Sequence, residues 1–157
     1  MRFTLVKDLR TDVLMRPIIG GLLLFTLLFL IFDVWHTSEK IGMIPTKVAT
    51  FLYGNEEEFV EPVTQTSLLE IIHMDTFFAM MTLLTLSAVY ARLSNSNSRK
   101  MVMINLAMIS AIIAIISLMS AFLVHHFFLY VWLGCFSIWH VVAFGMGIES
   151  LWKLYRL

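Results

Sequence analysis

Two short stretches of this apolar chain carry residues that can do chemistry. "DVWH" sets Asp33 three residues before His36, and "EIIH" sets Glu70 three residues before His73. Residues three apart on an α-helix share a face and stand about 4.5 Å apart along the axis, so each acid–imidazole pair can act as a unit. Both side chains of such a pair can ligate one metal ion, as in the Glu-x-x-His arrangement of helical bundles. Alternatively the carboxylate accepts the second imidazole N–H and orients a histidine that binds haem iron, copper or zinc. Asp33, His36, Glu70 and His73 are therefore the expected core of a site, with His125, His126 and His140 as candidates to complete it.

Each of these residues also has a plainer use. Ser67 and Glu70 form an S-x-x-E pattern that fits a capping box at a helix start. Asp33 lies near the C-terminal end of its apolar run, where the helix dipole disfavours negative charge, so it needs a partner: His36, a metal or a proton. His73 and Asp75 lie inside the next apolar run, where polar groups are costly and turn toward the bundle interior or a cavity. Asp75 equally fits an interfacial charge. His125 and His126 are adjacent and point in different directions, so at most one is expected to face the cluster. His140 sits alone near the middle of the last run and demands a hydrogen-bond partner, a cofactor or a proton path. Gly145 and Gly147 beside it would admit a neighbouring helix or a flat ligand. A stripe of Glu70, His73, Phe77, Met80, Met81 and Leu84 is expected to look inward. Its methionines suit packing better than ligation.

The elements that must position these residues follow from composition. The chain is 59% hydrophobic and 14% charged, the balance of an integral membrane protein. Four stretches, about 17–35, 69–91, 101–123 and 127–148, are long and apolar enough to cross a bilayer, which needs roughly 20 residues of helix. Short alternating strands are missing from the pattern, so helices rather than a barrel are expected. The predicted fold is all-α: a four-helix membrane bundle forming a single domain over residues 1–157, with a loop at about 37–66. Pro45 and Gly54 mark the ends of a short amphipathic helix in that loop. Ile44, Val48, Phe51 and Leu52 would share the face that rests on the membrane or caps the bundle mouth.

Basic residues set the expected orientation. Arg2, Lys7, Arg10 and Arg16 precede the first span, Arg92, Arg99 and Lys100 separate the second from the third, and Lys153 and Arg156 follow the fourth. Only Lys40 and Lys47 occupy the loop between the first two spans. Both termini are thus expected in the cytoplasm and the loop outside it, most naturally in a bacterial inner membrane. No small-residue cleavage site follows the charged leader, so the first span is read as retained.

Several functions are disfavoured by what the chain lacks. Its formal net charge is zero, so nothing suggests nucleic acid as a partner. The single cysteine, Cys135, permits no intrachain disulfide. No HExxH, nucleophile elbow or glycine-rich phosphate loop is present. Glu56, Glu57, Glu58 and Glu61 crowd the loop and form either a solvated turn or a docking patch for a basic soluble partner.

A four-span bundle with histidines on several helices resembles the small membrane b-type cytochromes, in architecture and histidine placement. The resemblance implies haem b clamped by histidines, here drawn from His36, His73, His125, His126 and His140. Three functions remain open. The leading expectation is an electron-transfer component, a redox subunit carrying haem b or a transition-metal ion (iron, copper or zinc), working between membrane quinol and a soluble partner at Glu56 to Glu61. The second is a proton- or cation-handling protein using Asp33, Glu70, His73 and His140, for which the only carboxylate in the cytoplasmic half is Glu149. The third is a cofactor-free structural or assembly subunit of a larger membrane complex; an oligomer is compatible with all three.

Overall fold

The computed structural model describes residues 13–94 and 96–156. Five helices follow one another: α1 (Met15–Lys40), α2 (Pro45–Tyr53), α3 (Gln65–Leu93), α4 (Asn97–Leu123) and α5 (Phe127–Tyr155). The four long ones are each apolar enough to cross a bilayer. They occupy the expected places and run past most of the expected ends. Near the end of α1 the Ser38 hydroxyl donates to the Trp35 carbonyl at 2.7 Å. The N-cap of α3 is Thr64, whose Oγ1 accepts the Ser67 N–H at 3.2 Å. Glu70 is therefore released from the capping role that its spacing from Ser67 suggested. Arg2, Lys7 and Arg10 of the basic leader lie outside the described residues.

Helix α5 packs against every other helix. Its seam with α4 is close because α4 presents Ala107, Ser110, Ala111, Ala114, Ser117 and Ala121, all buried. Small side chains let two backbones approach within lipid, where no hydrophobic force draws helices together. Buried Trp132, Phe136 and Trp139 on α5 supply the bulk that α4 lacks.

Helix α1 runs antiparallel to α5. Asp33 meets His140, Leu27 meets Gly147, and the Tyr155 ring reaches into the place left by Gly20. A Cβ on Gly147 would lie 2.7 Å from Cδ2 of Leu27, whereas one on Gly145 would touch nothing within 4 Å. Of the two glycines near His140, Gly147 thus admits a neighbouring helix and Gly145 stands open.

The short helix α2 caps the bundle, as one of its two expected placements had it. Val48 and Leu52 are buried, and the Tyr53 hydroxyl donates to the Ala121 carbonyl at 2.6 Å. Burial raises the Tyr53 pKa above its ordinary value. Ile44 precedes the helix and is exposed. Gly54 closes α2 with φ +78°, and any Cβ there would strike the Val60 carbonyl oxygen. An isolated bridge between Asn55 and Val60 then closes the acidic turn.

Between 28% and 39% of the most apolar part of each span is buried inside the bundle; the remainder is half-buried or exposed. Gly147→Leu is expected to overpack the α1–α5 seam and to cost about 1–3 kcal/mol, read as a lower thermal midpoint in detergent. Gly145→Leu should move the midpoint far less, and equal losses at the two positions would contradict the seam.

Candidate functional site

The site is built on His140, near the middle of α5. Its Nδ1 lies 2.9 Å from the carbonyl oxygen of Phe136, one turn earlier. A carbonyl can only accept, so Nδ1 carries a hydrogen and donates it. The other nitrogen, Nε2, lies 2.9 Å from Oδ2 of Asp33 on α1. A neutral ring protonated at Nδ1 has a bare lone pair at Nε2, which bonds to Asp33 only if the carboxyl is protonated. A doubly protonated ring instead donates to an ionised Asp33. Both arrangements place one hydrogen between Nε2 and Oδ2.

Its surroundings keep that proton from bulk water. The His140 side chain is 6% exposed and that of Asp33 20%. The rings of Phe136 and Trp139 stand 4.1 Å and 3.7 Å from the imidazole; their π faces attract positive charge. Asp33 also lines a small cavity of about 30 Å³ shared with Asp75, Ile72, Ala79, Ala114 and Trp139. A buried water needs roughly 10–15 Å³ on this measure, so about two would fit. A second carboxyl group, that of Asp75 on α3, thus lines the same cavity as Asp33, in walls that are otherwise aliphatic and aromatic. Along α5 toward the chain termini, Ala143 and Met146 are fully buried and apolar.

The structure rearranges the expected pairs. Asp33 finds its partner across the bundle in His140 rather than one turn away in His36. His36, Glu70 and His73 are exposed, and among the described residues no hydrogen bond or ion pair joins them to one another or to Asp33. The stripe of Glu70, His73, Phe77, Met80, Met81 and Leu84 stands on the outside of the bundle. The inward face of α3 is instead Leu68, Ile71, Ala79, Thr82, Leu83, Leu86, Val89 and Tyr90. An apolar stripe reads alike whether it meets lipid or protein, which is why the pattern pointed the wrong way.

At the loop end His125 and His126 are both exposed and serve local structure. Nδ1 of His125 accepts the Phe127 N–H at 3.1 Å, relieving one free donor at the start of α5. The ring of His126 lies 4.4 Å from that of Tyr53 in an edge-on contact. Among the described residues no three of histidine, cysteine, aspartate or glutamate gather as a group that could hold a metal ion. Glu56, Glu57, Glu58 and Glu61 are exposed, and Phe59 among them is 94% exposed with a left-handed φ of 55°.

A second polar cluster, at the opposite end, escaped sequence reasoning. Glu149 accepts from the Tyr90 hydroxyl at 2.9 Å and from the Lys153 ammonium, with Arg99 3.5 Å away. Lys153 also donates to Ser94 Oγ at 3.4 Å. The cluster ties the end of α3, the start of α4 and the end of α5. The four-residue spacing of Glu149 and Lys153 was the one signal available for it.

Removing either member of a buried pair leaves the other without a counterpart, at a cost of about 3–5 kcal/mol. His140→Leu and Asp33→Leu are each expected to lower the thermal midpoint in detergent, and the double variant to lose clearly less than the two single losses combined. Additive losses would show that the two side chains are not coupled.

Residues 42–157, from the turn before α2 through α5, match the family Aq_1264_TM, a transmembrane helical domain. The matched stretch contains Asp75 and His140 and stops short of α1. No curated protein and no solved structure matches the chain. With four spans long and apolar enough to cross a bilayer and three quarters of its length inside that match, the chain is an integral membrane protein belonging to the Aq_1264_TM family of transmembrane helical domains.

Proposed function

We propose that this membrane protein handles protons, with Asp33 and His140 as the binding centre and Asp75 as the group that exchanges with it. The observation that carries this reading is the hydrogen bond between Nε2 of His140 and Oδ2 of Asp33, in a ring whose Nδ1 is already committed to Phe136. Ionisable groups at this depth are costly and are kept where a proton or ion must be held. Asp75 comes from the half of α3 nearer the loop and shares a water-sized cavity with Asp33. If the basic residues mark the cytoplasmic side, exchange takes place with the outer half. Ala143 and Met146 close the other direction, so release toward the termini requires α1 to shift against α5. Passage would then be limited by helix movement, on the microsecond-to-millisecond scale of such motions, and would be far slower than through an open pore.

An electron-transfer role is the second reading, and one observation favours it. His140 lines a groove of about 360 Å³ between α1 and α5, together with Leu30, Ile31, Val34, Val141 and Phe144. The groove is apolar and opens to lipid, as a haem or a quinol would need. His140 would have to give up Asp33 to ligate iron, and no second histidine lines the groove. A visible absorption band lost in His140→Ala would decide for this reading over the first.

The proton reading is tested in liposomes loaded with a pH-sensitive dye, with a potential imposed by potassium and valinomycin. The protein is expected to acidify or alkalinise the lumen as the sign of the potential dictates. Asp33→Asn should abolish the flux and Asp75→Asn should slow it, on the order of the 10²–10⁴-fold by which positioned proton-transfer groups act. A flux no greater than that of protein-free liposomes, or one indifferent to Asp33→Asn, would refute transport by this centre.

A further inference from the structure

We propose that the terminal turns of α5 hold an acidic phospholipid, its phosphate between Arg16 and Arg156 and an acyl chain along Ile148, Leu151 and Trp152. A groove of about 500 Å³ runs along this end of α5, lined by Ile148, Leu151, Trp152, Tyr155 and Arg156. It joins an apolar stretch that continues into the hydrocarbon to a guanidinium at the membrane surface. The Arg156 guanidinium lies 5.0 Å over the Trp152 ring, and that of Arg16 lies 5.0 Å over the Tyr155 ring. Tyr155 is itself fixed, because its ring fills the space at Gly20 and its carbonyl accepts from Arg16 Nη2 at 3.2 Å. One cation, Arg156, therefore lines the groove, and a second, Arg16, stands over the ring of Tyr155, another of its lining residues.

Neither cation is neutralised by a described carboxylate. Glu149, the carboxylate at this end among the described residues, is already engaged by Tyr90, Lys153 and Arg99. The Nε of Arg16 is buried and has no acceptor among the described residues. A phosphate oxygen is the acceptor that suits a guanidinium, whose fork of N–H groups matches it in two-point contacts. The rest of the groove decides the source of that phosphate. Its walls are aliphatic and aromatic and face sideways from a membrane-spanning helix, so the occupant must carry hydrocarbon. Basic pockets at the ends of spanning helices take anionic head groups for these reasons, and Trp152 and Tyr155 stand at the level where aromatic side chains meet the head groups. This inference is independent of the proton reading, since none of its residues touches Asp33, Asp75 or His140.

The test reconstitutes the full chain in phosphatidylcholine nanodiscs containing a few per cent of a lipid brominated on its acyl chains, either phosphatidylglycerol or phosphatidylcholine, and reads tryptophan quenching. Brominated phosphatidylglycerol is expected to quench at a mole fraction roughly 25-fold lower than brominated phosphatidylcholine, since each of the two arginines contributes on the order of fivefold at an anionic surface. That preference should shrink in Arg156→Gln, fall further in Arg16→Gln/Arg156→Gln, and be only partly kept in Arg156→Lys, which retains the charge but not the fork. Trp152→Phe should remove the preferential quenching while leaving that of the other tryptophans. Arg156 follows the last helical residue and is exposed, so its replacement leaves the bundle folded. Equal quenching by the two brominated lipids, or a preference unchanged in the double glutamine variant, would overturn the proposal. So would a preference erased by inorganic phosphate at millimolar concentration, which would make the site one for free phosphate.

Discussion

Away from its first turn, where Arg16 donates to the Tyr155 carbonyl, the position of α1 depends on one polar contact in an apolar medium, that of Asp33 with His140. Lipid is as oily as the interior of the bundle, so burying the leucines of α1 against α5 gains little over leaving them in the membrane. A carboxylate or imidazole left without a partner at that depth is far more costly than any misplaced leucine. The Asp33–His140 bond therefore sets the register of α1, and Gly147 lets Leu27 come close enough for the bond to form. The same contact that locates the helix is the one we propose as the proton-binding centre. Any change in its protonation bears on how firmly α1 is held.

The two ends of the bundle are secured differently around that centre. At the termini Glu149 draws Tyr90, Arg99 and Lys153 into one cluster spanning α3, α4 and α5. At the loop end α2 lies as a lid, fastened to α4 by the bond from Tyr53 to the Ala121 carbonyl. Helix α1 belongs to neither clamp directly. It packs chiefly on α5, and on α3 to a lesser extent, which leaves it the long helix freest to shift when its polar contact changes.

Much of this architecture is legible in the sequence. The four apolar runs, the limits of α2 at Pro45 and Gly54, and the isolation of His140 in its span all state their demands locally. Asp33 likewise announced that it needs a partner, through its place near the negative end of a helix dipole. The identity of that partner was hidden, because spacing along one helix reveals only neighbours a turn away, and the bond to His140 crosses from α1 to α5. The outward face of α3 was misread for a related reason: the stripe from Glu70 to Leu84 is amphipathic in the usual sense only if the surroundings are water. Glu149 looked solitary because Tyr90 and Arg99 lie far from it in the chain. In each case the missing information was the relative placement of two helices, which in lipid is set by small residues and single polar bonds rather than by a hydrophobic face.

The decisive measurement is the ¹⁵N spectrum of His140 in the wild-type protein in lipid bilayers, assigned by its loss in His140→Gln and compared with that of Asp33→Asn. A proton shared across the bundle requires Nδ1 to be protonated and hydrogen-bonded at neutral pH, and Nε2 to shift when Asp33 becomes asparagine while Nδ1 stays in place. A ring protonated only at Nε2, or a His140 spectrum unmoved by Asp33→Asn, would contradict the shared proton and with it the proposed role of the pair.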